Sequence, residues 1–116
     1  MKIITWNINS VRIRIDQLSE VINELDPDVI CLQETKCDNK NFPIREIQSL
    51  GYKYIAINGQ PSYNGVAILS RLKFTEILNK DFYNKNDCRY IGAKFKYPKV
   101  KNDLLVHNFY VPAGGD

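Results

Sequence analysis

Four consecutive apolar residues, Val29-Ile30-Cys31-Leu32, run without a turn signal into Gln33-Glu34-Thr35-Lys36, and no other stretch constrains the chain as tightly. An apolar run this short, entered from Asp26-Pro27-Asp28, reads as a strand covered on both faces, because a strand with one wet face alternates instead. It therefore needs a layer above and a layer below. Its end delivers an amide, a carboxylate and an ammonium group to one place. Strand ends in sheets flanked by helices gather ligand and catalytic groups, since the sheet fixes the backbone while the loop leaves side chains accessible. Glu34 is the first candidate. A strand-end glutamate taken alone is more often simply solvated, so its weight comes from the rest of the chain.

Residues 2–8 are rich in β-branched and aromatic types and predict a first strand with Asn7 near its end. Ser10 reads as the N-cap of an amphipathic helix carrying Val11, Ile15, Leu18, Val21, Ile22 and Leu25 on one face, stopped by Asp26-Pro27. Strand, helix and buried strand make a βαβ unit, which sets its two strands parallel with their C-terminal ends on one rim. Asn7 and Glu34 thus meet at the same edge. Pro43 suits the first turn of a short helix closed by Gly51. Residues 52–57 and 66–70 predict an antiparallel hairpin, and residues 74–78, 89–95 and 104–111 three more strands. The expected fold is α/β (α+β), one mixed sheet with helices on one face. In the last strand Leu105, His107 and Phe109 face one way and Val106, Asn108 and Tyr110 the other, so neither face is fully polar and an apolar face is left open.

At 116 residues with a mixed, 25% charged composition the chain is one globular domain, and the profile excludes a disordered or fibrous protein. The net charge of +3 accommodates a polyanionic partner without requiring one. Cys31, Cys37 and Cys88 are odd in number and lack paired zinc spacing, which predicts free thiols and a reducing, cytoplasmic setting. The N-terminal apolar stretch is interrupted by Thr5, Asn7 and Asn9, too early for a signal peptide or membrane span.

Residues 27–36, Trp6-Asn7-Ile8-Asn9, Asn64-Gly65-Val66-Ala67-Ile68-Leu69-Ser70 and Asn108-Phe109-Tyr110-Val111-Pro112, in this order, resemble the N-terminal half of the exodeoxyribonuclease III (AP endonuclease) family of the endonuclease/exonuclease/phosphatase superfamily. The resemblance implies half of a four-layer, DNase I-like α/β sandwich and Mg²⁺-dependent phosphodiester hydrolysis in DNA repair, with Mn²⁺ able to replace Mg²⁺. It implies metal-site roles for Glu34 and Asn7, an active-site role for Tyr110 near the scissile phosphate, DNA-backbone contacts for Lys36 and Arg89, and support from Gln33 behind them. The chemistry is coherent, because Mg²⁺ takes oxygen ligands, keeps several waters and is held by one or two carboxylates plus a substrate phosphate. Read singly, Asn7 is a turn former, Tyr110 a half-buried strand aromatic, and Lys36 and Arg89 solvated cations.

His107, the single histidine, sits mid-strand and is expected to be structural; the family's catalytic histidine stands in a Ser-Asp-His context that this sequence lacks. Ala113 replaces a phosphate-facing amide, and the Gly-Asp-x-Asn motif is absent as well. The domain is expected to be truncated before those motifs and inactive alone, because groups acting as one constellation fail together. The implied partner is duplex DNA with abasic sites or 3′ ends, without a membrane, together with a missing C-terminal half or a second copy on the open sheet face. Two other readings remain: a non-catalytic truncated remnant or half-subunit, and a phosphatase of the same superfamily.

Overall fold

The computed structural model describes residues 1–82, 85–96 and 101–112. The elements follow in chain order as β1 (Ile3–Asn7), α1 (Ile15–Leu25), β2 (Val29–Gln33), a 3₁₀ turn (Asn39–Asn41), α2 (Ile44–Ser49), β3 (Tyr54–Asn58), β4 (Val66–Ser70), β5 (Phe74–Leu78), β6 (Tyr90–Phe95) and β7 (Leu104–Phe109). The strands form two sheets, a four-stranded one ordered β1-β2-β4-β3 and a three-stranded one ordered β5-β6-β7. In the first, β1 and β2 are parallel and the pairs β2–β4 and β3–β4 are antiparallel. The βαβ unit and the β3–β4 hairpin stand as the sequence implies, and the α/β class holds.

The single mixed sheet does not hold. Strands β5 to β7 pair only with one another and lie across the face of the first sheet that the helices leave uncovered. Each apolar side chain of β2 consequently has a layer to enter. Ile30 and Leu32 join Leu18, Ile22, Ile47 and Tyr52 on the helix side, while Val29 and Cys31 join Ile91, Ala93 and Phe95 between the sheets. Strand β4 divides in the same way, Ala67 and Leu69 to one core and Val66 and Ile68 to the other. A strand lacking polar alternation is thus the middle of a layered molecule.

The helix start also differs from expectation. Ser10 has φ +86° and is no N-cap; α1 begins at Ile15, where the Leu18 N–H reaches the Arg14 carbonyl at 2.9 Å. The cause is tertiary, because the backbone N–H groups of Ser10 and Val11 donate to the carbonyls of Glu34 and Thr35 at 2.8 and 3.0 Å. Donors bound across the rim are unavailable to a helix start. The far end of α1 closes as expected, with Asp26 left-handed at φ +49° and its N–H on the Ile22 carbonyl before Pro27.

The predicted facing of the last strand stands: Leu104, Val106, Asn108 and Tyr110 face inward, Leu105, His107 and Phe109 outward. The face opposite the helices, expected to lie open, is thus covered by the second sheet, and it is on the outer face of that sheet that Leu105, Phe109 and Phe82 are each about half exposed. Phe82, Tyr90 and Phe109 cluster there, and the Tyr90 hydroxyl meets His107 Nδ1 at 2.8 Å. No helix among the described residues is long and apolar enough to cross a membrane.

Between the sheets, burial pushes the Cys31 thiol up to about 11. A thiol whose value is raised on folding stabilises the native state fully below its ordinary value near 9 and loses that contribution as pH rises. The chain is expected to lose stability from about pH 9 toward 11, on the order of 1–3 kcal/mol. Urea melts of wild type and Cys31→Ala across that range check it: the alanine variant should show a shallower decline.

Candidate functional site

The rim at the C-terminal ends of β1 and β2 is knitted by backbone hydrogen bonds from separate elements. Beyond β1, the Ile8 N–H donates to Gln33 at 3.0 Å. Past β2, Thr35 and Lys36 donate to the carbonyls of Gly65 and Asn64 at 3.1 and 2.9 Å, Gly65 donates to Cys88 at 3.1 Å, and Tyr110 donates to Arg89 at 2.8 Å. Segments from both sheets thereby share one frame. Asn9, Ser10, Glu34, Lys36, Asn64 and Cys88 all sit there at φ between +48° and +86°. Each non-glycine residue in this region costs about 1–3 kcal/mol, and such strain persists only where surrounding structure enforces it, commonly at functional sites.

Left-handed φ at Glu34 breaks the alternation of β2 and lets its carboxylate turn toward the second sheet, where Oε1 accepts a hydrogen bond from the Tyr110 hydroxyl at 2.7 Å. Both side chains are half-buried. A phenol on a carboxylate is a charge-assisted bond, stronger than a neutral one and directional. Gln33 stands behind this pair: its amide nitrogen donates to Thr5 Oγ1 and to Asn108 Oδ1, each at 2.8 Å. Lys36 reaches sideways, Nζ to Asn9 Oδ1 at 2.6 Å, and Arg14 Nε holds the Asn9 carbonyl at 3.0 Å.

Arg89 enters from the start of β6, its Nε 2.8 Å from Asp87 Oδ2. The two atoms are close yet misaligned for a hydrogen bond, so the contact is an ion pair without a directed bond. Asp87 is buried, which strengthens the attraction, and Asn64 Nδ2 secures its carbonyl at 2.7 Å. Burial first, then the charges of Asp87 and Asp81, push the neighbouring Cys88 thiol up, so it offers no ready thiolate.

Of the six residues singled out from sequence, the structure joins Glu34 to Tyr110 directly and sets Gln33 behind them. Lys36 lies two residues past Glu34 on the same rim, and Arg89 meets Tyr110 through the backbone. Asn7 pairs with Gln33 in the sheet register and is exposed, but its amide contacts neither Glu34 nor Tyr110 by a hydrogen bond among the described residues. Ala113 and the Gly114-Gly115-Asp116 end lie outside the described residues.

Sequence reasoning missed the roles of Asn9, Asn64, Asp87 and Asn108. Asn108 had a signal: it is the one amide on an otherwise apolar inward face of β7, and a polar group there demands partners. Asp87, two residues before Arg89, had only spacing to offer.

No group of three or more His, Cys, Asp or Glu side chains converges among the described residues. The donor set offered, one carboxylate with oxygen-bearing neighbours, fits a largely hydrated, oxygen-seeking cation such as Mg²⁺ and does not fit a caged zinc.

The sequence and fold compare with known proteins as follows. A model of the Endonuclease/Exonuclease/phosphatase family matches residues 4–113. Exodeoxyribonuclease III of Haemophilus influenzae is 37% identical over 98% of this chain, and the DNA repair nuclease APEX1 of Danio rerio 33% identical over 97%. This chain spans only 42% and 36% of their lengths. Among solved structures, a Neisseria 3′ phosphatase (NExo) bound to product DNA hairpin superposes with a TM-score of 0.82 at 33% identity, covering 95% of this chain and 41% of that one. An AP endonuclease from Archaeoglobus fulgidus gives 0.73 at 34%, covering 82% and 37%. With the match running through both sheets and the whole rim, the chain belongs to the Endonuclease/Exonuclease/phosphatase family.

Proposed function

We propose that this chain carries one part of the active site of a Mg²⁺-dependent nuclease that hydrolyses phosphodiester bonds in duplex DNA at abasic sites or 3′ ends. The observation that carries the reading is the 2.7 Å bond between Tyr110 and Glu34. Glu34, with Asn7 beside it on the rim, holds the cation, and Mn²⁺ can take its place. When bound, the cation supplies neutralisation of phosphate charge and a more acidic water. Lys36 and Arg89 attract the DNA backbone, and the ion pair with Asp87 keeps the guanidinium from folding away. Tyr110, held at the rim by Glu34, turns its single O–H proton from that carboxylate to a phosphate oxygen as charge grows there. Gln33 keeps the strand end in position.

The remaining equipment, the Gly-Asp-x-Asn and Asp-His groups that orient the attacking water, belongs in this reading to a C-terminal half that packs over the outer face of β5–β7. The chain by itself is then nearly inactive, and the half-exposed Leu105 and Phe109 offer that half its footing. A fusion placing the C-terminal portion of the Haemophilus influenzae relative after residue 116 tests this. Cleavage of abasic duplex in Mg²⁺, abolished by EDTA, is expected; a folded fusion that is inactive, or active in EDTA, overturns it. Self-association of the isolated chain through the open face would show in sedimentation. A second reading, removal of 3′ phosphates, draws on the Neisseria relative, and a 3′-phosphorylated duplex in the same assay separates the two.

A further inference from the structure

We infer that Asn108 is a positioning residue, the pin that fixes the second sheet against the first so that Tyr110 meets Glu34. Its side chain lies between the sheets, 3% exposed, and all its hydrogen-bonding groups are engaged with the opposite sheet. Nδ2 donates to the carbonyls of Leu32 and Ala67, each at 2.9 Å, two residues paired across β2 and β4. Oδ1 accepts from Gln33 at 2.8 Å, and the other hydrogen of that amide goes to Thr5 at 2.8 Å. An asparagine amide has two donors, and both are used.

Position turns these bonds into a device. Asn108 precedes Tyr110 by two residues, so both point inward and stand about 7 Å apart along the chain. Its anchors, Leu32 and Gln33, lie two residues and one residue before Glu34. At the site end of the seam this buried amide sets the offset between the strand that brings the phenol and the strand that brings the carboxylate, while Asn58 Nδ2, on the Tyr90 carbonyl at 2.9 Å, ties β3 to β6 away from it. The neighbours at the seam, Ile91, Ala93, Phe95 and Val106, are apolar. Apolar contact is non-directional and scales with area, so it resists sliding weakly; three hydrogen bonds with fixed directions resist it well. A leucine here would bury more apolar surface, and what it would lose is registry.

The test uses the 116-residue chain labelled with ¹³Cζ-tyrosine, the Tyr110 resonance being assigned with Tyr110→Phe. Asn108→Leu is expected to move that resonance to its position in Glu34→Ala, where the acceptor is gone, and to weaken Mg²⁺ binding by roughly 10-fold or more. Ile91→Val, an apolar loss at the same seam, should lower melting temperature and leave both readouts in place. If Asn108→Leu does not fold, Gln33→Met removes the donor to Asn108 from the half-exposed side and should move the resonance in the same direction. An unmoved Tyr110 resonance in a folded variant overturns the inference. The metal arm rests on the proposed function and the resonance arm does not: a wild-type chain that binds no Mg²⁺ overturns the metal reading, while the resonance still decides the role of Asn108.

Discussion

Gly65→Ala is expected to destabilise the chain by roughly 3–5 kcal/mol, adding an overpacking cost to the strain of a left-handed residue. Gly65 has φ +93°, and a Cβ built on it would stand 2.1 Å from Thr35 Oγ1. Neither side can yield easily. The Thr35 N–H is bound to the Gly65 carbonyl and the Gly65 N–H to Cys88, both at 3.1 Å, so the peptide is pinned from two directions. Thr35 is buried with a stiff, β-branched side chain, and its hydroxyl has no partner among the described residues. Against a total stability of about 5–15 kcal/mol the loss is severe, lowering the melting temperature by roughly 15 °C or more. A double-mutant cycle with Thr35→Ala divides the cost. Removing the hydroxyl should recover the steric share and leave about 1–3 kcal/mol of backbone strain. A Gly65→Ala chain melting with the wild type would show that the rim is far softer than its hydrogen bonds imply.

Glu34→Gln, placed in the active fusion, is expected to lower DNA cleavage on the order of 100-fold or more while leaving stability nearly unchanged. The substitution keeps the shape and keeps an oxygen to accept from Tyr110, so the 2.7 Å bond has a successor. What it removes is the negative charge that a hard divalent cation requires. The mutant should therefore fail through its metal, with a higher Mg²⁺ requirement and partial recovery at high concentration. Lys36→Ala and Arg89→Ala should instead weaken DNA binding and flatten its salt dependence. A Glu34→Gln enzyme with wild-type rate and metal requirement would remove Glu34 from the cation site.

Much of the fold can be read from local chemistry, and the failures have a common cause. The unbroken apolar run in β2 announced burial on both faces, and Pro27, Pro43 and Gly51 marked helix ends that the structure keeps. Assignment of β5–β7 to a second sheet was hidden, because alternation such as Ile91, Ala93, Phe95 looks the same whether the covering layer is a helix or another sheet. Ser10 has the chemistry of a cap, and a distant strand end overrode it. At the site, Glu34 and Tyr110 carried the family's pattern. Nothing in the chemistry of Glu or Lys favours left-handed φ, so the twist that aims Glu34 at Tyr110 could not be foreseen.

The carboxylate and phenol stand 76 residues apart and come from different sheets. That separation has a kinetic meaning. Contacts so distant in sequence form only after the intervening chain has surrendered its entropy, so the β1–β4 layer can assemble early while the Glu34–Tyr110 bond waits for the sheets to dock. An intermediate with one sheet formed would hold the carboxylate with no phenol to orient it. The carboxylate and the phenol therefore come together only at the last stage of folding, when the two sheets dock.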